Sequence, residues 1–467
     1  MDKSKIFFIV GSQDLYGAET LRKVAENSQM IVDSMNKSNK LSATIQLLPV
    51  VRNQQEIVAA IKEANNDDQC IGIICWMHTF SPAKMWINGL KLLQKPMLHF
   101  ATQANELLPW SSIDMDFMNL NQAAHGDREF GFICTRMGIA RKVVVGSYTD
   151  DEALNSIENW IRAAYAKAEA QNLRVARIGD NMRNVAVTEG NKVSAQIQFG
   201  FSVNTYGVGD VVACVNSVAD SEVKDLVNQY EKLYTLPNRS EYAMKSIFEA
   251  AKQEIGLRQF LSQVGAKAFT TTFEDLHGLQ QLPGLACQRL MADGFGFGAE
   301  GDWKTAAMLR LVKVMTKNVK TSFMEDYTYH LEKNRERILG AHMLEVCPTI
   351  AADKPSLEVH ELGIGGKAAP ARLIFSTAAG KAINCSLLDM GNEFCLLANK
   401  VDTVEADEKM PKLPVANAVW IPEPNFKLGV QKWIENGGAH HSVYSQSLSV
   451  ETLEDFCRMV DIKMTLI

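Results

Sequence analysis

The sequence has no CxxC pair, no apolar run long enough to cross a membrane, no charge run of tail length and no surplus of positive charge. Each lack excludes a class of protein. The nine cysteines are odd in number and scattered singly, which excludes a disulfide framework and reads as reduced thiols in a cytoplasmic protein. Cys75, Cys134 and Cys214 fall in runs that read as strand, where Cys behaves as a small buried hydrophobe. The longest apolar stretches, such as Cys70 to Met77, fall well short of the ~20 residues a membrane helix needs. The N-terminal run Ile6 to Val10 is too short for a signal-peptide core and passes into turn residues instead of a cleavage site. Lys plus Arg number 48 against 54 for Asp plus Glu, a formal net charge of -6, so the general attraction for phosphate polymers is missing. There is no short-period repeat and no low-complexity tract.

What is present is the composition of an ordinary globular chain: 46% hydrophobic and 22% charged over 467 residues. At roughly 150 residues per domain that length suggests about three domains. The first hundred residues alternate strand-like and helix-like periods: Lys5 to Val10, Ile45 to Val51, Cys70 to Met77 and Pro96 to Phe100 as strands, with Thr20 to Met35, Asn53 to Ala64 and Pro82 to Leu93 as helices. Strand, helix, strand at this pace means βαβ crossovers and a parallel sheet covered on both faces. Ligand groups are then sought in the loops after the strands, which hold Gln13, Leu15, His78 and Thr79. A second alternating section runs from Leu173 to Val314, and after about Thr321 short β-branched runs separated by Gly, Asp and Pro turns predict an antiparallel sheet or barrel. The expectation is two doubly wound α/β domains and a β-rich C-terminal one.

Four segments hold residue types that could carry chemistry. Gly296, Gly298 and Gly301 spell a GxGxxG that opens a helix, but the residues before it, Leu285 to Met291, look helical. Glu300 would also repel a pyrophosphate there, so a dinucleotide site is a poor reading. The turn could instead present Glu300, or Glu300 could merely favour the helix dipole and pair with Lys304. In the run Thr321 to His330, period two puts Glu325, Tyr327 and Tyr329 on one face and Asp326 and His330 on the other. An acid in such a strand is costly to bury unless paired or bound to a cation, although a surface edge is an equally plain explanation. His342 could be a ligand or a hydrogen-bonded core residue. His440 and His441 follow Gly437-Gly438, which is also an ordinary helix stop, and alternation along a strand lets at most one of the two imidazoles reach a shared centre. Together the segments offer two carboxylates and two imidazoles and no thiolate, a set suited to Mn²⁺, Mg²⁺, Co²⁺ or Fe²⁺ more than to structural zinc.

Longer stretches add a resemblance. HTFSPAKMWINGL (His78 to Leu90), DMDFMNLNQAAHGDREFGF (Asp114 to Phe132), FGFSVNTYGVGD (Phe199 to Asp210), TTTFEDLHGL (Thr270 to Leu279), EGDWKTA (Glu300 to Ala306), TSFMEDYTYH (Thr321 to His330) and PKLPVANA (Pro411 to Ala418) resemble, in order, the L-arabinose isomerase family. The resemblance implies a soluble cytoplasmic enzyme that interconverts L-arabinose and L-ribulose, with Mn²⁺ the usual ion and Co²⁺ or Mg²⁺ as alternatives. It implies two Rossmann-like doubly wound parallel-sheet domains (1–172 and 173–319) followed by a C-terminal antiparallel β-barrel-like domain (320–467), assembled as a hexamer.

Carried over residue by residue, the resemblance makes Glu300 and Glu325 the metal-binding acids and His342 and His441 the imidazole ligands. It places Gln13, Leu15, Met182, Phe273 and Ile364 in the sugar pocket, with His125 entering from a neighbouring subunit. Two departures stand out. Asp14 occupies the position between Gln13 and Leu15 where the family has His, and family members continue beyond the strand that ends here at Ile467 with a short aromatic-containing segment. Aldose–ketose exchange moves a proton between C2 and C1 through an enediolate, and two carboxylates flanking those carbons suit that transfer, so Glu300 and Glu325 are expected to form the acid/base pair. A non-catalytic sugar-binding protein, which needs no metal, and a nucleotide-dependent oxidoreductase are the rival readings.

Overall fold

The computed structural model describes residues 4–467, which fall into two compact units. The first runs to Ala168 and takes in Glu451–Met459. Its sheet comprises β1 (Lys5–Gly11), β2 (Thr44–Leu47), β3 (Cys70–Met77), β4 (Met97–Ala101) and β5 (Lys142–Val145) in the order β2-β1-β3-β4-β5, every neighbouring pair parallel. β1 and β3 are continuous apolar runs because helices cover both faces, and all eight residues of β3 are buried. Phe7, Ile9, Ile73, Trp86 and Phe130 share one core. The helix predicted over Pro82 to Leu93 is a 3₁₀ turn, Ala83–Trp86, and one short α-turn, Ile87–Leu90. Gly89 of that turn packs closely on the helix Gln54–Asn66, where a Cβ would lie 2.7 Å from Ile57 Cγ2.

The second unit holds Glu169–Val450 and Val460–Ile467. Its parallel sheet is built from β6 (Arg174–Ile178), β7 (Ser202–Tyr206), β8 (Ala268–Thr271) and β9 (Gly296–Gly298) in the order β7-β6-β8-β9. After it come β10 (Thr321–His330), β11 (Arg337–Ala341), a two-stranded ribbon of β12 (Ser356–Val359) and β13 (Ala371–Ile374), then β14 (Gly380–Asp389), β15 (Phe394–Val404), β16 (Asn417–Pro422) and β17 (His441–Ser445). Six of these form a closed antiparallel barrel, β14-β17-β10-β11-β16-β15, with β15 pairing back onto β14. A last strand, β18 (Lys463–Leu466), adds to β15 in parallel. Met324, Ile338, Trp420 and Tyr444 of the barrel share a core with Leu285, Ile247 and Tyr230.

The α/β and barrel expectation therefore holds. Two local readings do not. Cys134 and Cys214 lie in helices, Ala123–Arg136 and Val208–Ser217, so only Cys75 of the three named is in a strand. All nine cysteines are free thiols. Among the described residues no helix is long and apolar enough to cross a membrane.

Candidate metal centre

Glu300 sits in the turn between β9 and the helix Trp303–Met315. Gly296 and Gly298 belong to β9, so the GxGxxG is a strand and a turn and not a phosphate loop. The strand needs these glycines because the helix folds straight back over it. A Cβ on Gly296 would lie 2.0 Å from Ala306 O, and one on Gly298 2.2 Å from Asp302 O. The turn itself is left-handed at two consecutive residues, Glu300 (φ 59°) and Gly301 (φ 79°). A non-glycine residue held there stores on the order of 1–3 kcal/mol, which the surrounding hydrogen bonds must hold. Met182 N donates to Glu300 O at 2.9 Å, and Gly301 N to Thr271 O at 3.1 Å.

Asp302, not Glu300, caps the helix: its Oδ1 accepts from Thr305 N at 3.1 Å. The alternative Glu300–Lys304 pair does not form, because Glu300 precedes the helix and its left-handed backbone breaks the i,i+4 spacing. Lys304 is buried and donates to Val187 O (2.9 Å) and Glu189 O (2.6 Å), with Asp302 Oδ1 at 3.5 Å.

The other three expected ligands are brought together by strand register. β10 runs between β11 and β17, with Glu325 opposite His441 on one side and Ala341, the residue before His342, on the other. Directly opposed residues of an antiparallel pair put their side chains on the same face. His342 Nε2 lies 3.8 Å from Glu325 Oε2, and His441 Nε2 4.0 Å from Glu300 Oε2. The two imidazoles are 5.9 Å apart, with Phe323 set edge-on to both at 5.1 and 5.0 Å.

His440 is a correction to the strand argument. Its Nε2 lies 3.4 Å from Glu300 Oε2, and the ligand atoms of Glu300, His440 and His441 all fall within 4.8 Å of one another. Both histidines reach the acid because β17 begins at His441, so His440 is outside the pleat that alternation describes. The alternation also fails in β10. A register shift after Asp326 reorders the faces, and Tyr329 shares a cavity with Asp326 instead of a face with Glu325.

Two further carboxylates hold the imidazoles from behind. His342 Nδ1 lies 2.5 Å from Glu345 Oε2, and His441 Nδ1 lies 3.2 Å from Asp302 Oδ2. An acceptor at Nδ1 keeps the proton there, so each Nε2 carries its lone pair forward. Neither Nε2 has a hydrogen-bond partner although both are buried. Two orphaned imidazole nitrogens facing two carboxylates, with no thiolate, fit a divalent cation of the Mn²⁺, Co²⁺ or Mg²⁺ kind. Asp302, Glu345 and His440 were not assigned a role by sequence reasoning. The only sequence signals were a helix-cap pattern, a three-residue spacing from His342 and a doubled histidine.

Electrostatics differ across the cluster. Burial works against ionisation of Glu300, but the hydrogen bond with His440 and the charges of His441 and His342 outweigh it and hold the carboxyl below its usual range. Burial raises Glu325, with His342 opposing in part. Burial also pushes Asp326 up to about 7, assisted by the charge on Glu325. Burial opposes protonation of both imidazoles: it prevails at His441, whereas Glu345 overrides it and raises His342.

The expected pocket residues lie in both units. In the first, Gln13 Nε2 donates to Phe80 O at 3.2 Å, the His125 ring stacks on Phe80 at 4.3 Å, and Leu15 is 83% exposed. In the second, Met182 is tied to Glu300 through the backbone bond above, Phe273 is half-buried in the turn after β8, and Ile364 is exposed. Among the described residues no hydrogen bond or ion pair joins Phe273 or Ile364 to the carboxylate–imidazole cluster.

Known proteins bear on this arrangement. Residues 1–172 match the family model of the L-arabinose isomerase N-terminal domain, 174–318 that of the central domain and 320–463 that of the C-terminal domain. The L-arabinose isomerase of Geobacillus stearothermophilus is 55% identical over 466 residues, covering 99% of this chain and 94% of that protein. The L-arabinose isomerase of Escherichia coli K12 is 54% identical over 472 residues, covering 100% and 94%. With matches of this length and the acids and imidazoles converging in its second unit, the chain belongs to the L-arabinose isomerase family and is a sugar isomerase.

Proposed function

We propose that this protein interconverts L-arabinose and L-ribulose by metal-assisted proton transfer through an enediolate, with Glu300 and Glu325 as the acid/base pair and Glu300, Glu325, His342 and His441 as the ion's ligands. The observation that carries the reading is the convergence of two carboxylates on two buried imidazole nitrogens that lack any other partner. A bound divalent ion, Mn²⁺ on the family pattern with Co²⁺ or Mg²⁺ as alternatives, supplies Lewis acidity to a carbonyl whose neighbouring C–H must ionise. One carboxylate accepts the proton from C2 of the aldose, and the proton returns at C1 as the oxygens exchange carbonyl and hydroxyl roles. Positioned acid–base catalysis contributes about 10² to 10⁴-fold to such a step. The opposite displacements of Glu300 and Glu325 are the pattern expected of a pair that divides acid and base duties.

The same reading divides the chain at 1–172, 173–319 and 320–467, assigns Gln13, Leu15, Met182, Phe273 and Ile364 to the sugar pocket, and makes the enzyme a cytoplasmic homohexamer. The exposed His125 then serves a neighbouring subunit's site, so an isolated monomer has an incomplete pocket. The test is a panel of aldoses assayed for ketose formation with and without a chelator. Ketose formed from L-arabinose and lost on chelation is the expected result. Unaltered sugar in the presence of Mn²⁺ overturns the reading in favour of a binding protein.

A further inference from the structure

Met182 and Phe273 sit in loops that follow neighbouring parallel strands of the second unit, β6 and β8. Loops at such strand ends are where this architecture builds its ligand sites. Backbone N–H groups tie the two loops together. Asp180 N donates to Asp275 Oδ2 at 3.0 Å, and Arg183 N to Glu274 Oε2 at 2.9 Å. Met182 N, between them, donates to Glu300 O at 2.9 Å. Asn181 Nδ2 adds a bond to Gly301 O at 3.2 Å. The four residues Asp180 to Arg183 thus bridge the two carboxylates beside Phe273 and the turn that presents Glu300.

The carboxylates, and not the ion pairs around them, fix this bridge. Glu274 and Asp275 are mostly covered, with 22% and 25% of their side chains exposed. A carboxylate accepting from a backbone N–H makes a bond about twice as strong as a neutral one. The Arg183 guanidinium lies 3.5 and 3.4 Å from the same two acids, but its side chain is 65% exposed, so those pairs contribute little. Space is tight as well. Gly179 opens the loop with φ 83°, and a Cβ there would lie 3.0 Å from Asp275 Cβ. The far end of the loop is held separately. Lys304 Nζ donates to Val187 O and Glu189 O, and Asn191 N donates to Asp389 Oδ2 at 2.7 Å. Losing one carboxylate therefore frees the Asp180–Arg183 end and leaves the rest of the loop seated.

We propose that Glu274 and Asp275 are positioning residues for the sugar, holding the Met182 and Phe273 loops together as one wall of the pocket, in register with Glu300. The inference rests on the isomerase reading, which places Met182 and Phe273 in that pocket, and it acts through the loop backbone. A wall ordered before the sugar arrives spares the cost of ordering it on binding. Freeing it raises KM and leaves the chemistry at the ion in place.

The experiment measures KM and kcat for L-arabinose at saturating Mn²⁺ in the full chain. Glu274→Ala and Asp275→Ala should each raise KM about 5–20-fold, with kcat within about threefold of wild type. Glu274→Gln and Asp275→Asn keep an acceptor and lose its charge, so their KM should fall between wild type and alanine. Affinity for Mn²⁺, titrated by calorimetry, should stay at the wild-type value. A lower thermal midpoint with KM unchanged overturns the proposal and leaves the pair a purely structural role. So does a loss confined to kcat, or a matching loss of Mn²⁺ affinity, since either places the effect at Glu300. If the alanine variants fail to fold, the amide variants decide, and wild-type KM in both overturns the proposal. Wild-type protein that forms no ketose from L-arabinose defeats the isomerase reading. Wild-type turnover with unmoved KM in the variants defeats this inference alone.

Discussion

His441 Nδ1 lies 3.2 Å from Asp302 Oδ2, and both residues are fully buried. That contact joins a strand of the barrel to the cap of the helix that follows Glu300, so one carboxylate both ends a turn and orients a ring. Several neighbours favour ionisation of Asp302: burial opposes it, but Lys304, His441 and Thr305 together hold the carboxyl well below its usual range.

Asp302→Asn should therefore weaken divalent-ion binding about 10–100-fold, the usual cost of losing the partner behind an imidazole ligand. Calorimetric titration of the metal-free protein with Mn²⁺ measures it. Wild-type affinity in the variant would show that the His441 ring is held by its packing against Phe323 alone.

Glu300→Gln and Glu325→Gln should each abolish measurable turnover of L-arabinose while far-ultraviolet circular dichroism stays unchanged. The amide keeps the shape of the side chain and removes its capacity to accept a proton. A variant that retains wild-type-like turnover removes that residue from the mechanism. In the wild-type enzyme, solvent deuterium should appear at C1 of the ketose, and its complete absence would point to hydride transfer instead.

Gly298→Ala should destabilise the fold by about 1–3 kcal/mol, the range for forcing extra atoms into a packed interior. The new Cβ would lie 2.2 Å from Asp302 O, a backbone atom with no freedom to yield. Denaturant unfolding reads the loss. Turnover should fall as well, since the displaced backbone carries the turn that presents Glu300.

His78 gives a pH dependence outside the metal centre. It stacks on Trp76 with ring centroids 4.4 Å apart, its Nε2 lies 2.9 Å from Asn27 Nδ2, and its buried Nδ1 has no partner. Burial lowers its pKa to about 4. The unfolded chain, with an ordinary histidine near 6.5, then binds the proton first. Stability from this group is complete above about pH 6.5 and is lost as the pH falls through 4, by about 3 kcal/mol in all. Unfolding free energies between pH 7.5 and 4.5 should fall more steeply for wild type than for His78→Gln. Parallel curves would mean that the imidazole is solvated in the fold.

Much of this architecture is legible from residue patterns. The apolar runs at Ile6–Val10 and Cys70–Met77 are buried central strands of a parallel sheet, and the short β-branched runs after Thr321 close a barrel. Where reading failed, a nonlocal contact had intervened. Gly296 and Gly298 spell a nucleotide motif only until the helix above them is seen to need their missing side chains. Tyr329 changes face because β10 carries a register shift, which no residue of β10 announces. His440 escapes the alternation rule because the strand starts one residue later.

Taken alone, the sequence determines which segments become strands and helices, because periodicity and burial act over a few residues. It also supplies the inventory of two acids and two imidazoles, and through resemblance the family. Only the tertiary structure decides that Glu325, His342 and His441 stand side by side. Hydrogen-bond register sets Glu325 of β10 between His441 of β17 and Ala341 of β11, the neighbour of His342, and so joins residues more than a hundred positions apart. The same nonlocal pairing decides which carboxylates stand behind the rings.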